Sequence, residues 1–159
     1  MEERLDYAAS APEGYRAMLV LNRHANNCGL DPLLLELVRM RASQINGCAY
    51  CLDMHSQDAR ALGEREQRLY ALSAWQETPF YTDRERAALH WTEEITLISQ
   101  THASDAAYAE AREHFNDEEL VNLTLAIITI NAWNRLAIGF RSQPGTYQST
   151  KQPALTSEV

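Results

Sequence analysis

Asp31-Pro32-Leu33-Leu34-Leu35-Glu36-Leu37-Val38-Arg39-Met40-Arg41-Ala42-Ser43-Gln44-Ile45-Asn46-Gly47-Cys48-Ala49-Tyr50-Cys51-Leu52-Asp53-Met54-His55 is the stretch on which the reading of the chain turns. Asp31-Pro32 is a helix N-cap followed by proline at the first helical position. Leu33, Leu34, Leu37, Val38 and Ala42 then recur at spacings of three and four, the period of a helix face. Asn46-Gly47 tolerates left-handed backbone and suits a helix stop. A following helix is expected from about Cys48 to Gly63. Its first turn carries both thiols, where unpaired backbone N–H groups and the positive end of the helix dipole favour a thiolate.

On either side the pattern stays helical. Glu13 to Asn26 carries a loose stripe at Tyr15, Met18 and Leu19, widened by Leu21, and ends near Gly29; Asn22 stands where the next apolar residue is expected. Glu66 to Trp75 reads as a short helix broken by Thr78-Pro79. Thr82-Asp83-Arg84-Glu85 is a capping box that opens a long helix through Ala88, Leu89, Trp91 and Ile95 to about Ser99. Ser104 starts another short helix to Phe115. Asn116 with Glu119 caps the last, through Leu120, Leu123, Leu125, Ile127, Ile130 and Leu136 to Gly139. Between Leu123 and Ile138 this helix is apolar on most sides, which suits a core or a subunit interface. No alternating strand segment and no solenoid repeat is present. The expected fold is one all-helical domain over residues 1–141, followed by an irregular arm or frayed end over 142–159, where Pro144, Gly145, Pro153 and several Ser, Thr and Gln remove the periodicity.

The chain has 159 residues, enough to bury a core without crosslinks. Hydrophobic residues make up 45% and charged residues 23%, the balance of a globular chain rather than a disordered one. With 22 acidic against 14 basic residues, the formal charge is −8. That sign repels phosphate backbones and anionic membrane surfaces, so neither a nucleic-acid nor a membrane partner is expected. No unbroken apolar run reaches the ~18 residues of a membrane span. The acidic start, Met1-Glu2-Glu3-Arg4-Leu5-Asp6, does not read as a secretory signal, and the expected compartment is the reducing cytoplasm. There a close pair of cysteines points to metal or redox chemistry rather than to a staple.

On a helix Cys48, Cys51 and His55 share one face, with His55 one turn from Cys51 and two from Cys48. The residues leave three readings open. They can be plain core, since free Cys is among the most buried residue types and a lone helical His is usually structural. They can bind zinc, with Cys28 or Glu36 as the fourth ligand, although no second Cys/His pair stands at finger-like spacing. Or they can form a dithiol redox centre, in which the helix N-terminus and His55 lower the thiol pKa, a peroxide oxidises one sulfur to a sulfenic acid, and the other condenses with it. Glu36, if the two helices pack antiparallel, can accept a proton or orient His55. His24, His90, His102 and His114 stand at no ligand-like spacing. Cys28 reads as a buried small residue, and Asn134 and Arg135 as structural residues near the site. Arg39 and Arg41 cannot both face the core, and one is expected to pair with an acidic residue of the thiol-bearing helix.

Glu36, the run Ser43-Gln44-Ile45-Asn46-Gly47-Cys48-Ala49-Tyr50-Cys51, and His55 resemble the alkylhydroperoxidase D-like family within the carboxymuconolactone decarboxylase superfamily. Its signature is a glutamate, eleven residues, Cys-x-x-Cys, three residues and a histidine, and positions 36, 48, 51 and 55 reproduce those intervals. Arg84-Glu85-Arg86-Ala87-Ala88-Leu89 and Asn131-Ala132-Trp133-Asn134-Arg135-Leu136 look like the short, single-domain branch. The resemblance spans roughly residues 13 to 140. It implies a helical bundle of that type, and a peroxidase in which Cys51 attacks a hydroperoxide, Cys48 resolves the product, and Glu36 and His55 relay protons. It also implies a dithiol or small-thiol reductant and a homo-oligomer, trimer or hexamer. Tyr50 stands where the best-studied branch has a second histidine; it can donate a hydrogen bond but takes no proton near pH 7. No flavin or nicotinamide motif is present, and neither a cofactor nor a metal is expected. The other functions compatible with the residues are a redox sensor whose disulfide changes assembly, and a lyase or isomerase like the superfamily's namesake decarboxylases, which lack the thiol pair.

Overall fold

Local capping chemistry sets the helix ends. The computed structural model describes residues 2–152 and contains no strand among them. A single turn, α1 (Tyr7–Ser10), is capped by Asp6, and α2 (Pro12–Asn26) follows it. Helix α3 (Pro32–Asn46) starts where Asp31 accepts the Leu34 N–H at 2.9 Å. It ends at Gly47, whose φ of 70° is a left-handed cap that costs a glycine little. Helix α4 (Ala49–Ala61) begins immediately, with Cys48 as its N-cap. Then come α5 (Glu66–Ala71), α6 (Asp83–Thr96), α7 (Ile98–Thr101), α8 (Asp105–His114) and α9 (Asp117–Phe140). The capping boxes at Thr82/Glu85 and Asn116/Glu119 are both formed.

Two expected helices differ in detail. The segment from Glu66 continues past α5 as a 3-10 turn, Leu72–Glu77, because Ala74 leaves helical geometry at φ −120° and ψ 33°. The helix expected to reach Ser99 breaks at Leu97, and the Thr101 hydroxyl, donating back to the Glu94 carbonyl, folds α7 against the end of α6.

Helix α3 is the central element and packs against α4, α6 and α9. Leu35, Leu37 and Val38 are fully buried on it, and so is Glu36. Each buried Leu stabilises the fold by about 1.5–3 kcal/mol, which offsets the cost of taking a carboxylate out of water. One core cluster joins α2, α3, α6, α8 and α9, and a smaller one sets Ala42 of α3, Cys48, Cys51, and Ile130 and Ala137 of α9 together. By length and composition α9 could cross a membrane, with mean hydropathy 1.3 in its most apolar 18 residues. It packs instead against α2, α3 and α6, and it buries Asn122, Thr129, Asn131 and Asn134. Beyond α9, residues 142–152 run back as an irregular arm along α4; positions 153–159 of the expected tail lie outside the described residues.

Candidate active site

Cys48 and Cys51 sit where α3 hands over to α4. The Cys48 N–H bonds to the Ser43 carbonyl at 3.0 Å, turning the chain directly from one helix into the next. The Cys51 N–H, one of the unpaired donors of the first turn, bonds to Cys48 Sγ at 3.3 Å. The two sulfurs are joined as a disulfide, with Cα atoms 5.4 Å apart. Both residues are buried, but of the two it is Cys51 that lines a cavity of about 300 Å³. His55, one turn on, lines the same cavity.

Packing of α3 on α4 brings Glu36 behind His55. His55 Nδ1 lies 2.8 Å from Glu36 Oε2, and Arg39, one turn along α3, donates to Glu36 Oε1 at 2.6 Å. A carboxylate acceptor at Nδ1 puts the proton there and turns Nε2 into the basic nitrogen. Burial alone would push the Glu36 carboxyl up. The hydrogen bond with His55 and the positive charges of His55 itself, Arg39 and Lys151, in that order, outweigh burial and hold the group well below the usual carboxylate range.

The cluster is larger than the four residues singled out by their spacing. Asp58, also buried, follows His55 by one turn of α4, and Tyr147 and Ser149 of the arm donate to its Oδ1 at 2.7 and 2.6 Å. Lys151 bridges the two carboxylates, its Nζ 2.5 Å from Glu36 Oε1 and 3.4 Å from Asp58 Oδ2. Sequence periodicity misses this arm because its contacts are long-range and it has no repeat. Two signals were nonetheless present: Asp58 lies on the face of α4 that carries Cys51 and His55, and Lys151 is the chain's only lysine among 14 basic residues. Burial and the Asp58 contact push the Tyr147 phenol well above its ordinary pKa, so it stays a donor.

Glu36, His55 and Asp58 have ligand atoms within 4.8 Å of one another, but Lys151 already brings a cation to both carboxylates. The zinc set drawn from the sequence is not assembled. Its two sulfurs are bonded to each other, and Cys28 is half-buried in the other cluster, its thiol donating to the Ala25 carbonyl at 3.3 Å. The two arginines of α3 also differ from expectation, since neither pairs with α4. Arg39 takes Glu36 of its own helix, and Arg41 reaches Glu93 of α6 at 2.8 Å.

The remaining walls come from α1, α2 and α9. Tyr7, Tyr15 and Trp133 pack in sequence, with centroid separations of 6.1 and 5.7 Å. Asn22, the break in the apolar stripe of α2, faces this cavity, which explains a polar residue there. Asn134 is fully buried and ties α9 to the last turn of α3: it donates to Ser43 Oγ at 3.0 Å and accepts from Asn46 at 2.8 Å. Arg135 instead bonds within its own helix, to Asn131. His24 pairs with Asn122 and His90 with Glu110, both away from the thiols.

Residues 12–94 match the model of the carboxymuconolactone decarboxylase family. The uncharacterized protein YdfG of Bacillus subtilis is 44% identical over 138 residues, which cover 87% of this chain and 94% of that one. Among solved structures, ATU0492 of Agrobacterium tumefaciens, a protein of unknown function assigned provisionally to antioxidant defence as AhpD, is 44% identical. It superimposes with a TM-score of 0.89 over 92% of this chain and 100% of that one. A peroxidase-related protein of Ralstonia eutropha with an alkylhydroperoxidase AhpD core shares the fold at a TM-score of 0.77 and 21% identity, covering 87% of this chain and 74% of that one.

Proposed function

The chain belongs to the carboxymuconolactone decarboxylase family, in its alkylhydroperoxidase D-like part, and from that premise we propose that it is a thiol-dependent peroxidase reducing organic hydroperoxides through Cys48 and Cys51. The observation that carries the proposal is that Cys51 and His55 open onto one cavity while Cys48 sits behind Cys51 within bonding distance.

In the reduced protein His55 Nε2 takes the Cys51 proton, and Glu36 stabilises the imidazolium that results. The Cys51 thiolate attacks the terminal oxygen of the hydroperoxide. An S–O bond forms, the O–O bond breaks, and the alkoxide leaves as an alcohol with the proton held on His55. Cys51 is then a sulfenic acid. The Cys48 sulfur attacks Cys51 Sγ, the S–S bond forms, and the hydroxyl leaves as water with the Cys48 proton. Two electrons from an external dithiol protein or small thiol reopen the disulfide. The assembly that accompanies this reading is a homo-oligomer built on the outward face of α9, where Val121, Ile128 and Ile138 are exposed.

The test is single-turnover thiol titration of the reduced protein with tert-butyl hydroperoxide. Wild type is expected to lose both thiols of the pair. Cys48→Ser is expected to stop at a dimedone-reactive sulfenic acid, and Cys51→Ser to be inert. Wild-type thiols that survive the peroxide, or full turnover in Cys51→Ser, exclude the mechanism.

A further inference from the structure

The mechanism above uses Glu36, His55 and two thiols and leaves a cation without a role. Lys151 arrives on an arm held to α4 by three hydrogen bonds, from the Gly145 N–H to Asp53 and from Tyr147 and Ser149 to Asp58. We propose that Lys151 is a positioning residue of the active site: by bridging Glu36 and the second buried carboxylate, Asp58, it sets the charge balance under which His55 exchanges a proton with Cys51.

Glu36 and Asp58 are both buried and lie with His55 inside one small cluster. Arg39 compensates one of the two carboxylates. A second negative charge left unbalanced in a low-dielectric site draws a proton onto the neighbouring group best able to hold one, and an imidazole is that group. A His55 already protonated from solvent has no lone pair to offer Cys51. Lys151, in contact with both carboxylates, brings the count to two anions and two cations.

The groups around His55 come from every element packed against it. Helix α3 contributes Glu36 and Arg39; α4 contributes Asp58, Tyr50 and Cys51; the arm contributes Lys151 and Tyr147. Helices α1 and α2 add the phenols of Tyr7 and Tyr15, and α9 adds Thr129, Ile130 and Trp133, side chains that carry no charge at neutral pH. Among the described residues lining this cavity, Lys151 and Arg39 are the two with permanently cationic side chains at neutral pH.

The proposal rests on the peroxidase reading for its purpose, but its test does not need peroxide. Histidine-labelled, reduced wild type, Lys151→Met and Lys151→Arg are titrated by NMR, and Cys51 alkylation by iodoacetamide is followed over the same pH range. In Lys151→Met the His55 midpoint and the acid limb of alkylation are expected about one pH unit higher than in wild type, with the alkaline plateau kept. Lys151→Arg is expected to restore both. Should Lys151→Met not fold, acetylating the folded, oxidised wild type with acetic anhydride before reduction removes the same charge while the disulfide protects both sulfurs, because the chain has no other lysine side chain. An unmoved His55 midpoint in either form, or a lower plateau with no shift, overturns the proposal. A shifted midpoint in a protein that consumes no peroxide leaves the charge role standing and removes only the peroxidase reading.

Discussion

Replacing Glu36 by Gln keeps the shape of the side chain and deletes the charge on which the cluster is organised. Glu36 has no exposed surface and Arg39 is 5% exposed, so solvent does little to screen them. A unit pair about 4 Å apart is worth about 4 kcal/mol at an effective dielectric of about 20. Removing one partner of a buried pair costs about 3–5 kcal/mol, since the other is left buried and uncompensated. In Glu36→Gln, Arg39 keeps Asn26 as a side-chain partner, and Lys151 keeps Asp58 and some access to water. The expected loss is thus at the lower end, about 3 kcal/mol, read as a lower urea midpoint of the oxidised protein at pH 7. The carboxyl is held below its ordinary pKa in the folded state. Its stabilising contribution is therefore complete above the unfolded value near 4.3 and is lost as pH falls toward the folded one. Wild type should weaken on acidification below that point more steeply than Glu36→Gln, and the gap between them should narrow. A loss under about 1 kcal/mol at pH 7, or a gap that stays constant into acid, would refute the reasoning.

Two further perturbations address the scaffold. Asn134→Ala removes two hydrogen bonds between α9 and α3, one buried and one part-buried, and strands the Ser43 hydroxyl. A loss of about 2–4 kcal/mol is expected in urea unfolding, and a change within experimental error would mean these bonds contribute nothing net. Ile128→Glu places a charge on an apolar side chain that is 46% exposed on the outward face of α9. Sedimentation should show smaller assemblies with unchanged helical circular dichroism, and an unaltered size distribution would exclude this face as the interface.

The helix plan was legible because its signals are local. Asp31-Pro32, Thr82…Glu85 and Asn116…Glu119 each cap the helix they announce, and Gly47 ends α3 in the left-handed conformation that an Asn-Gly pair suggests. Cys48, Cys51 and His55 could be placed together for the same reason, since one helix carries them. Glu36 required only that neighbouring helices pack side by side. What stayed hidden depends on tertiary geometry. The turn of the chain at Leu97 is set by contacts between α7 and α6, not by a proline or glycine. The choice of Glu93 by Arg41 follows from the packing of α6 on α3. Lys151 reaches Glu36 across 115 positions of sequence, a separation over which no periodicity speaks.

The arm grips α4 through polar contacts to Asp53 and Asp58, and such a latch can open without unpacking the helices beneath it. One of its two anchors, Asp58, also belongs to the charged cluster at the thiols. Arm opening and the charge state of the cluster are then reciprocal: whatever proton or ligand shifts one must shift the other by the same free energy. The Gly145 amide, bonded to Asp53 Oδ2 at 2.7 Å, is a natural gauge of that exchange. Its hydrogen-exchange rate reads how often the arm leaves α4, and the rate should change when the charge of the cluster changes.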